Sequence, residues 1–147
     1  MKHEKSCGAL VLHRGTDGKD YVLMIRHRQG GHRSFPKGHM EAGETEIMTA
    51  IREIYEETAV KVHIRSDFRE TVHYAPMPGV KKEVVYFLAK TEQEEIHPRE
   101  GEIAEVEWIP LDAAETCLTY ENDKTILRAA MKRLQAERKS GKDPLAT

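Results

Sequence analysis

Three carboxylates fall within five residues in the run Glu53-Ile54-Tyr55-Glu56-Glu57. If residues 46 to 58 are helical, Glu53, Glu56 and Glu57 stand at i, i+3 and i+4 and share one face, where they repel one another unless cations lie between them. Oxygen donors with no nearby Cys pair select Mg²⁺, or Mn²⁺ in its place, over Zn²⁺. Mg²⁺ is typically held by a few carboxylates together with substrate phosphate oxygens, so the spacing points to phosphate chemistry. A solvated surface helix is the plain alternative in a chain with 33% charged residues. That alternative does not require Gly38 and Glu44 at their fixed offsets ahead of the row.

Gly38, Glu44, Arg52, Glu53, Ile54, Glu56, Glu57 and Val60 match in type and spacing the Nudix box, and the chain resembles that family. Only Ala59 departs, at a position where the family has Gly. Gly there would serve as a left-handed C-cap, so Ala should cost on the order of 1 kcal/mol without touching the carboxylates. The resemblance implies an α/β fold, the Nudix α/β/α sandwich with a mixed β-sheet. It also implies a Mg²⁺-dependent pyrophosphohydrolase acting on a small-molecule nucleotide. On the same ground Glu53, Glu56 and Glu57 are expected as metal ligands, with Glu53 and Glu57 the candidates for ligand or base, and the Gly38 carbonyl joins the ligand set. Arg52, four residues before Glu56, is expected to pair with it and fix its rotamer. Glu44 is expected to support the ligands, or to act as an acid that favours the helix start. A further ligand is expected from a later loop, where Glu102 is preferred over Glu100 and Glu105.

FPKGHMEAGE, KKEVVYFLAK and EVEWIPLDAAETCLTYENDKTIL resemble more narrowly the asymmetrical diadenosine tetraphosphate hydrolase branch, which implies cleavage of that dinucleotide to ATP and AMP. Relatives acting on diphosphoinositol polyphosphates, capped or triphosphorylated RNA and other dinucleotides share much of FPKGH, so a nucleoside triphosphate, a 5′-triphosphate RNA end or a diphosphoinositol polyphosphate is the alternative substrate. A catalytically silent nucleotide-binding module would be expected to lack a box carboxylate, and none is missing. Among the candidate cations Arg26, His32, Arg33, Lys37, Lys81 and Lys82, the choices for the phosphate chain are Lys37, which abuts Gly38, and Lys81, which opens a strand. Tyr86 and Tyr74 are the expected platforms for a base, although core packing explains Tyr86 equally well.

These residues need a scaffold. The chain has 147 residues, enough for one domain over 1–147 with a single core. A net charge of −2 gives no global basic field for long nucleic acid. Two cysteines make no disulfide framework, and no apolar run reaches the roughly 20 residues of a membrane span. A cytoplasmic protein is expected, and nothing in the sequence sets an oligomeric state. Residues 5 to 13 and 20 to 27 form a hairpin about Asp17-Gly18, and residues 28 to 37 read as a loop. Residues 61 to 74 and 80 to 90 form a second hairpin, with Val84, Tyr86 and Leu88 on one face and Val85, Phe87 and Ala89 on the other. A strand from Ile103 to Pro110, a short helix over 111 to 118 and a longer one over 121 to 139 follow, then a frayed tail.

Overall fold

Alternation in the long strands decides the architecture. The computed structural model describes residues 1–146. Strands β1 (Lys2–Arg14), β2 (Asp20–His27), β3 (Arg33–Ser34), β4 (Lys37–His39), β5 (His63–Met77), β6 (Val80–Lys90) and β7 (Ile103–Pro110) form one sheet. Its main path runs β3-β2-β1-β6-β5, with β4 paired to β1 and β7 to β2. The β1–β6 pair is parallel and the others are antiparallel, so the sheet is mixed.

Both faces of the sheet centre are buried. Leu10, Leu12, Val22, Met24, Val84, Tyr86 and Leu88 pack on one side with Ile126, Leu127, Ala130 and Leu134 of the C-terminal helix α3 (Glu121–Lys139). Cys7, Ala9, Val11, Leu23, Val85, Phe87 and Ala89 pack on the other with Ala50 and Ile54 of α1 (Glu46–Thr58). The result is the expected α/β/α sandwich. A turn of 3₁₀ helix (Leu111–Ala113) and the single-turn α2 (Ala114–Cys117) lead into α3. Among the described residues no helix is long and apolar enough to cross a membrane.

Two segments differ from expectation. Residues 28 to 37 are not all loop, because β3 pairs with β2 through Ile25 and Arg26, and β4 begins at Lys37 and sets Gly38 opposite Cys7. Up to Ala146 the tail is not frayed either, and Thr147 lies outside the described residues. Arg14 holds Asp143 through two hydrogen bonds of 2.7 and 2.9 Å, Pro144 is buried, and Lys90 Nζ donates to the Ala146 carbonyl at 2.5 Å.

Helix α1 begins at Thr45, whose hydroxyl accepts from the Met48 N–H at 3.1 Å, and ends at Ala59 in left-handed geometry, φ 62° and ψ 17°. The Ala59 N–H donates to the Tyr55 carbonyl at 2.8 Å. Among the described residues Ala59 is the one non-glycine with positive φ, so the cap is formed at the cost of a Cβ where glycine has none. Ala59→Gly is therefore expected to stabilise the protein by up to about 1 kcal/mol in urea denaturation, with activity unchanged. Destabilisation by the substitution would contradict the cap assignment.

Candidate active site

The buried stripe of α1 includes Ala50, Ile54, Glu57 and Thr58, the spacing of a core-facing helix side. Glu57 therefore enters the structure on the buried face, only 7% exposed, whereas Glu56 next to it points outward. Burial first, and the neighbouring Glu53 carboxylate second, push the Glu57 acid from the ordinary 4.5 up to about 8. The Lys37 backbone N–H donates to Glu57 Oε1 at 3.0 Å and opposes that rise only in part. Strand β4 thus lies along the helix, and Gly38 is needed there for a steric reason. A Cβ on Gly38 would sit 1.9 Å from Glu53 Oε2, so any side chain would displace that carboxylate.

Arg52 organises the rest of the row. Its Nε and Nη2 donate to the two oxygens of Glu44 at 2.6 and 2.9 Å, and Nη1 donates to Glu53 at 2.8 Å and Glu56 at 3.1 Å. Nη2 also reaches the His39 carbonyl at 2.9 Å, tying the helix to the end of β4. The expected Arg52–Glu56 pair is present, but the shorter bidentate grip is on Glu44. Glu44 lies before the N-cap, not in the first turn, and its carboxylate also accepts from the Glu41 N–H and the Thr49 hydroxyl, each at 2.9 Å. Arg52 above all holds the Glu44 acid well below the usual carboxylate range. Glu44 anchors Arg52, and Arg52 in turn orients Glu53 and Glu56.

Of the three loop acids, Glu105 is drawn away by Arg26. The Glu102 charge is among those that act on Glu57. Arg99 bridges the loop to the helix, with Nη1 3.4 Å from Glu56 and Nε 3.1 Å from Glu102. The same loop is pinned by its backbone, since the His97 and Arg99 N–H groups donate to the Thr58 and Glu57 carbonyls at 2.9 and 3.2 Å. As the side chains stand, no three His, Cys, Asp or Glu groups among the described residues are gathered as a metal-binding set. The donors nonetheless suit a hard divalent cation. All are oxygens, and Glu57 is a buried acid with no cationic side chain paired to it among the described residues, so a cation beside it would favour its ionised form.

Beside this row opens a cleft of about 620 Å³, lined by His32, Lys37, Tyr74, Tyr86, Tyr120 and Asp123 among others. A volume of this size suits a nucleoside-scale ligand. Tyr74 and Tyr120, 39% and 53% exposed, both line it. Tyr86 requires a correction. It is fully buried, packs edge-on against Phe35 at 5.9 Å between ring centres and donates its hydroxyl to Asp123 at 3.1 Å, so it floors the cleft and has no free face for stacking. Lys81 is corrected too. Strand parity sets Lys82, not Lys81, on the face of Val84 and Tyr86, opposite Tyr74 in the β5–β6 register. Burial first, and the Lys37 charge second, lower the Lys82 pKa, which places these two cations near each other. Sequence reasoning missed Tyr120, although it stands immediately before α3, where a side chain can overhang the sheet.

The NUDIX domain profile matches residues 3–137 of the chain. An 8-oxo-(d)GTP phosphatase of Mycolicibacterium smegmatis is 34% identical over 90% of the chain, although the chain spans only 43% of that relative's length. The asymmetrical bis(5′-nucleosyl)-tetraphosphatase of Caenorhabditis elegans is 32% identical over 81% of the chain and 88% of that protein. A crystal structure of a C. elegans Ap4A hydrolase binary complex superposes with a TM-score of 0.81 at 28% identity, covering 90% of this chain and 98% of the other.

The buried acid makes a signed prediction for the metal-stripped protein. The folded state keeps the Glu57 proton up to about pH 8, whereas the unfolded chain releases it near 4.5, so stability falls as pH rises between those values. Glu57→Gln removes that loss while keeping an acceptor for the Lys37 N–H. With chelator present, its melting temperature is expected to exceed wild type by a gap that opens from about pH 5 and levels off above about pH 8, on the order of 10 °C. A gap independent of pH, or a less stable variant, would contradict the burial argument.

Proposed function

The chain belongs to the Nudix family, and from that premise we propose that it is a Mg²⁺-dependent pyrophosphohydrolase of dinucleoside polyphosphates, cleaving diadenosine tetraphosphate to ATP and AMP. One observation carries the reading. A cleft walled by Tyr74 and Tyr120 runs into the carboxylate row through Lys37, whose side chain lines the cleft and whose backbone holds Glu57. A base and a phosphate chain attached to each other have matching surfaces in that order. The tetraphosphatase of C. elegans, aligned over most of its own length, supports the same reading.

In this reading Glu53, Glu56, Glu57, the Gly38 carbonyl and Glu102 would hold the cation, with Mn²⁺ able to substitute. Bound there, it supplies charge neutralisation to phosphate oxygens and lowers the pKa of water. The protein's own groups do the rest. Tyr74 and Tyr120 hold the adenine, while Lys37 and Lys82 steady the phosphates. Arg52, anchored on Glu44, keeps Glu53 and Glu56 from swinging away. The water oxygen adds to the phosphorus nearest one adenosine, the anhydride bond to the ATP side breaks, and the water proton passes to a carboxylate. Glu57 and Glu53 are the candidates to receive it, as neighbouring carboxylates on the helix face beside β4.

A second reading, hydrolysis of a nucleoside triphosphate, is favoured by the name of the M. smegmatis relative. A diphosphoinositol has no base for the two tyrosines to hold.

A panel of these substrates with Mg²⁺, products resolved by chromatography, separates the readings. Diadenosine tetraphosphate is expected to turn over fastest and to give ATP and AMP in equal amounts, with EDTA abolishing turnover. Tyr74→Ala should raise its KM by roughly 5-fold to 150-fold and leave a base-free polyphosphate nearly unaffected, whereas Lys82→Ala should weaken every polyphosphate. Faster turnover of 8-oxo-dGTP would install the triphosphate reading. Preference for the base-free substrate with no effect at Tyr74 would install the diphosphoinositol one.

A further inference from the structure

A second cleft, about 720 Å³, lies between His27, Arg28, Gln29 and His32 on one side and Gly101 and Glu102 on the other. It shares a wall with the first. His32 lines both, stacking on His27 at 3.9 Å between ring centres and standing 5.5 Å from Tyr120. Its walls are tied together, since the Arg28 N–H donates to the Glu102 carbonyl at 3.1 Å and the His27 N–H to the His32 carbonyl at 2.9 Å.

The two clefts meet the acidic row at different residues. Lys37, whose N–H holds Glu57, lines the first, and Glu102, linked through Arg99 to Glu56 of the row, lines the second. A phosphoryl group over Glu57 would therefore send one arm of its chain toward Tyr74 and the other toward Arg28. The lining of the second cleft is planar and polar. Arg26 and Arg33 are paired with Glu105 and Glu107, but Arg28 is exposed and forms no ion pair among the described residues. Burial first, and His32 second, push the His27 imidazole down to about 4, so the stacked pair presents a ring surface with little charge at neutral pH. The tip of the loop, Gly30 and Gly31, has φ of 84° and 71°, which turns the chain back without a side chain obstructing the mouth.

We propose that this cleft is a second nucleoside subsite, in which the Arg28 guanidinium stacks on the distal base of a two-ended polyphosphate and the Gln29 amide meets its polar edge. The inference rests on the dinucleotide reading and adds to it a device that separates two-ended from one-ended substrates. A guanidinium suits the role because it is flat, permanently charged and weakly hydrated, and it lies well on a base. The neutral histidine pair makes the wall behind it.

The test compares diadenosine tetraphosphate with adenosine 5′-tetraphosphate, which carries the same phosphates and lacks the second nucleoside. Arg28→Ala is expected to raise KM for the two-ended substrate by about fivefold or more, the low end of what one stacking side chain supplies, and to change KM for the one-ended substrate by less than about twofold. Arg28→Lys keeps the charge and loses the plane, so it should behave as the alanine variant does. Equal rises for both substrates, or full rescue by Lys, would make Arg28 a general phosphate contact and overturn the subsite. If wild type turns over diadenosine tetraphosphate and Arg28→Ala leaves both KM values unchanged, the subsite also falls while the dinucleotide reading stands. Failure of wild type to cleave diadenosine tetraphosphate overturns that reading and the subsite together.

Discussion

A carboxylate set into the buried stripe of a helix governs the organisation of this protein. Glu57 follows Ala50 and Ile54 on the side of α1 that faces the sheet, so packing the helix desolvates the acid. An isolated carboxylate in that place would stay protonated. The structure tolerates it by placing a backbone N–H from β4 against one oxygen, which requires β4 to run along the helix. That approach explains why position 38 has no side chain, because the space a Cβ would occupy is filled by Glu53. Burial, strand pairing and the absence of a Cβ are consequences of one another.

Arg52 solves the complementary problem on the exposed side. Glu53 and Glu56 share a helix face and repel, and a guanidinium between them offsets that repulsion while Glu44 fixes the guanidinium from behind. The arrangement sets two carboxylates of the row under a cationic clamp and leaves the third buried without one. The mixed sheet brings the two clefts to the row from different directions, one through β4 and the face of β6, the other through the turn after β2 and the loop before β7. In the proposed reading, chemistry and recognition are therefore supplied by separate elements around a shared acid.

Much of this was legible in the sequence. Helical spacing located the carboxylates, the turn signals located both hairpins, and the single mismatch at Ala59 marked the position that adopts left-handed geometry. What resisted reading has physical causes. Alternation in β6 was clear, but both faces of that strand are buried, so it did not say whether Tyr86 faced ligand or core. The same parity would have favoured Lys82 over Lys81, had it been extended two residues toward the strand's start. The Arg52–Glu44 grip joins a helix to the segment before its cap, and no periodicity marks such a contact. β3 and β4 are two and three residues long, too short to show alternation, and the tail is held by Arg14, which lies 129 residues from Asp143 along the chain.

The central claim is that Glu57 exchanges a proton for a metal ion. Calorimetric titration of the metal-stripped protein with Mg²⁺ at pH 7, repeated in buffers of different ionisation enthalpy, counts the protons released on binding. About one proton per protein is predicted at pH 7, falling away as the pH is raised well above about 8, with release lost and affinity reduced in Glu57→Gln. Full-affinity Mg²⁺ binding at pH 7 with no proton released would contradict the account.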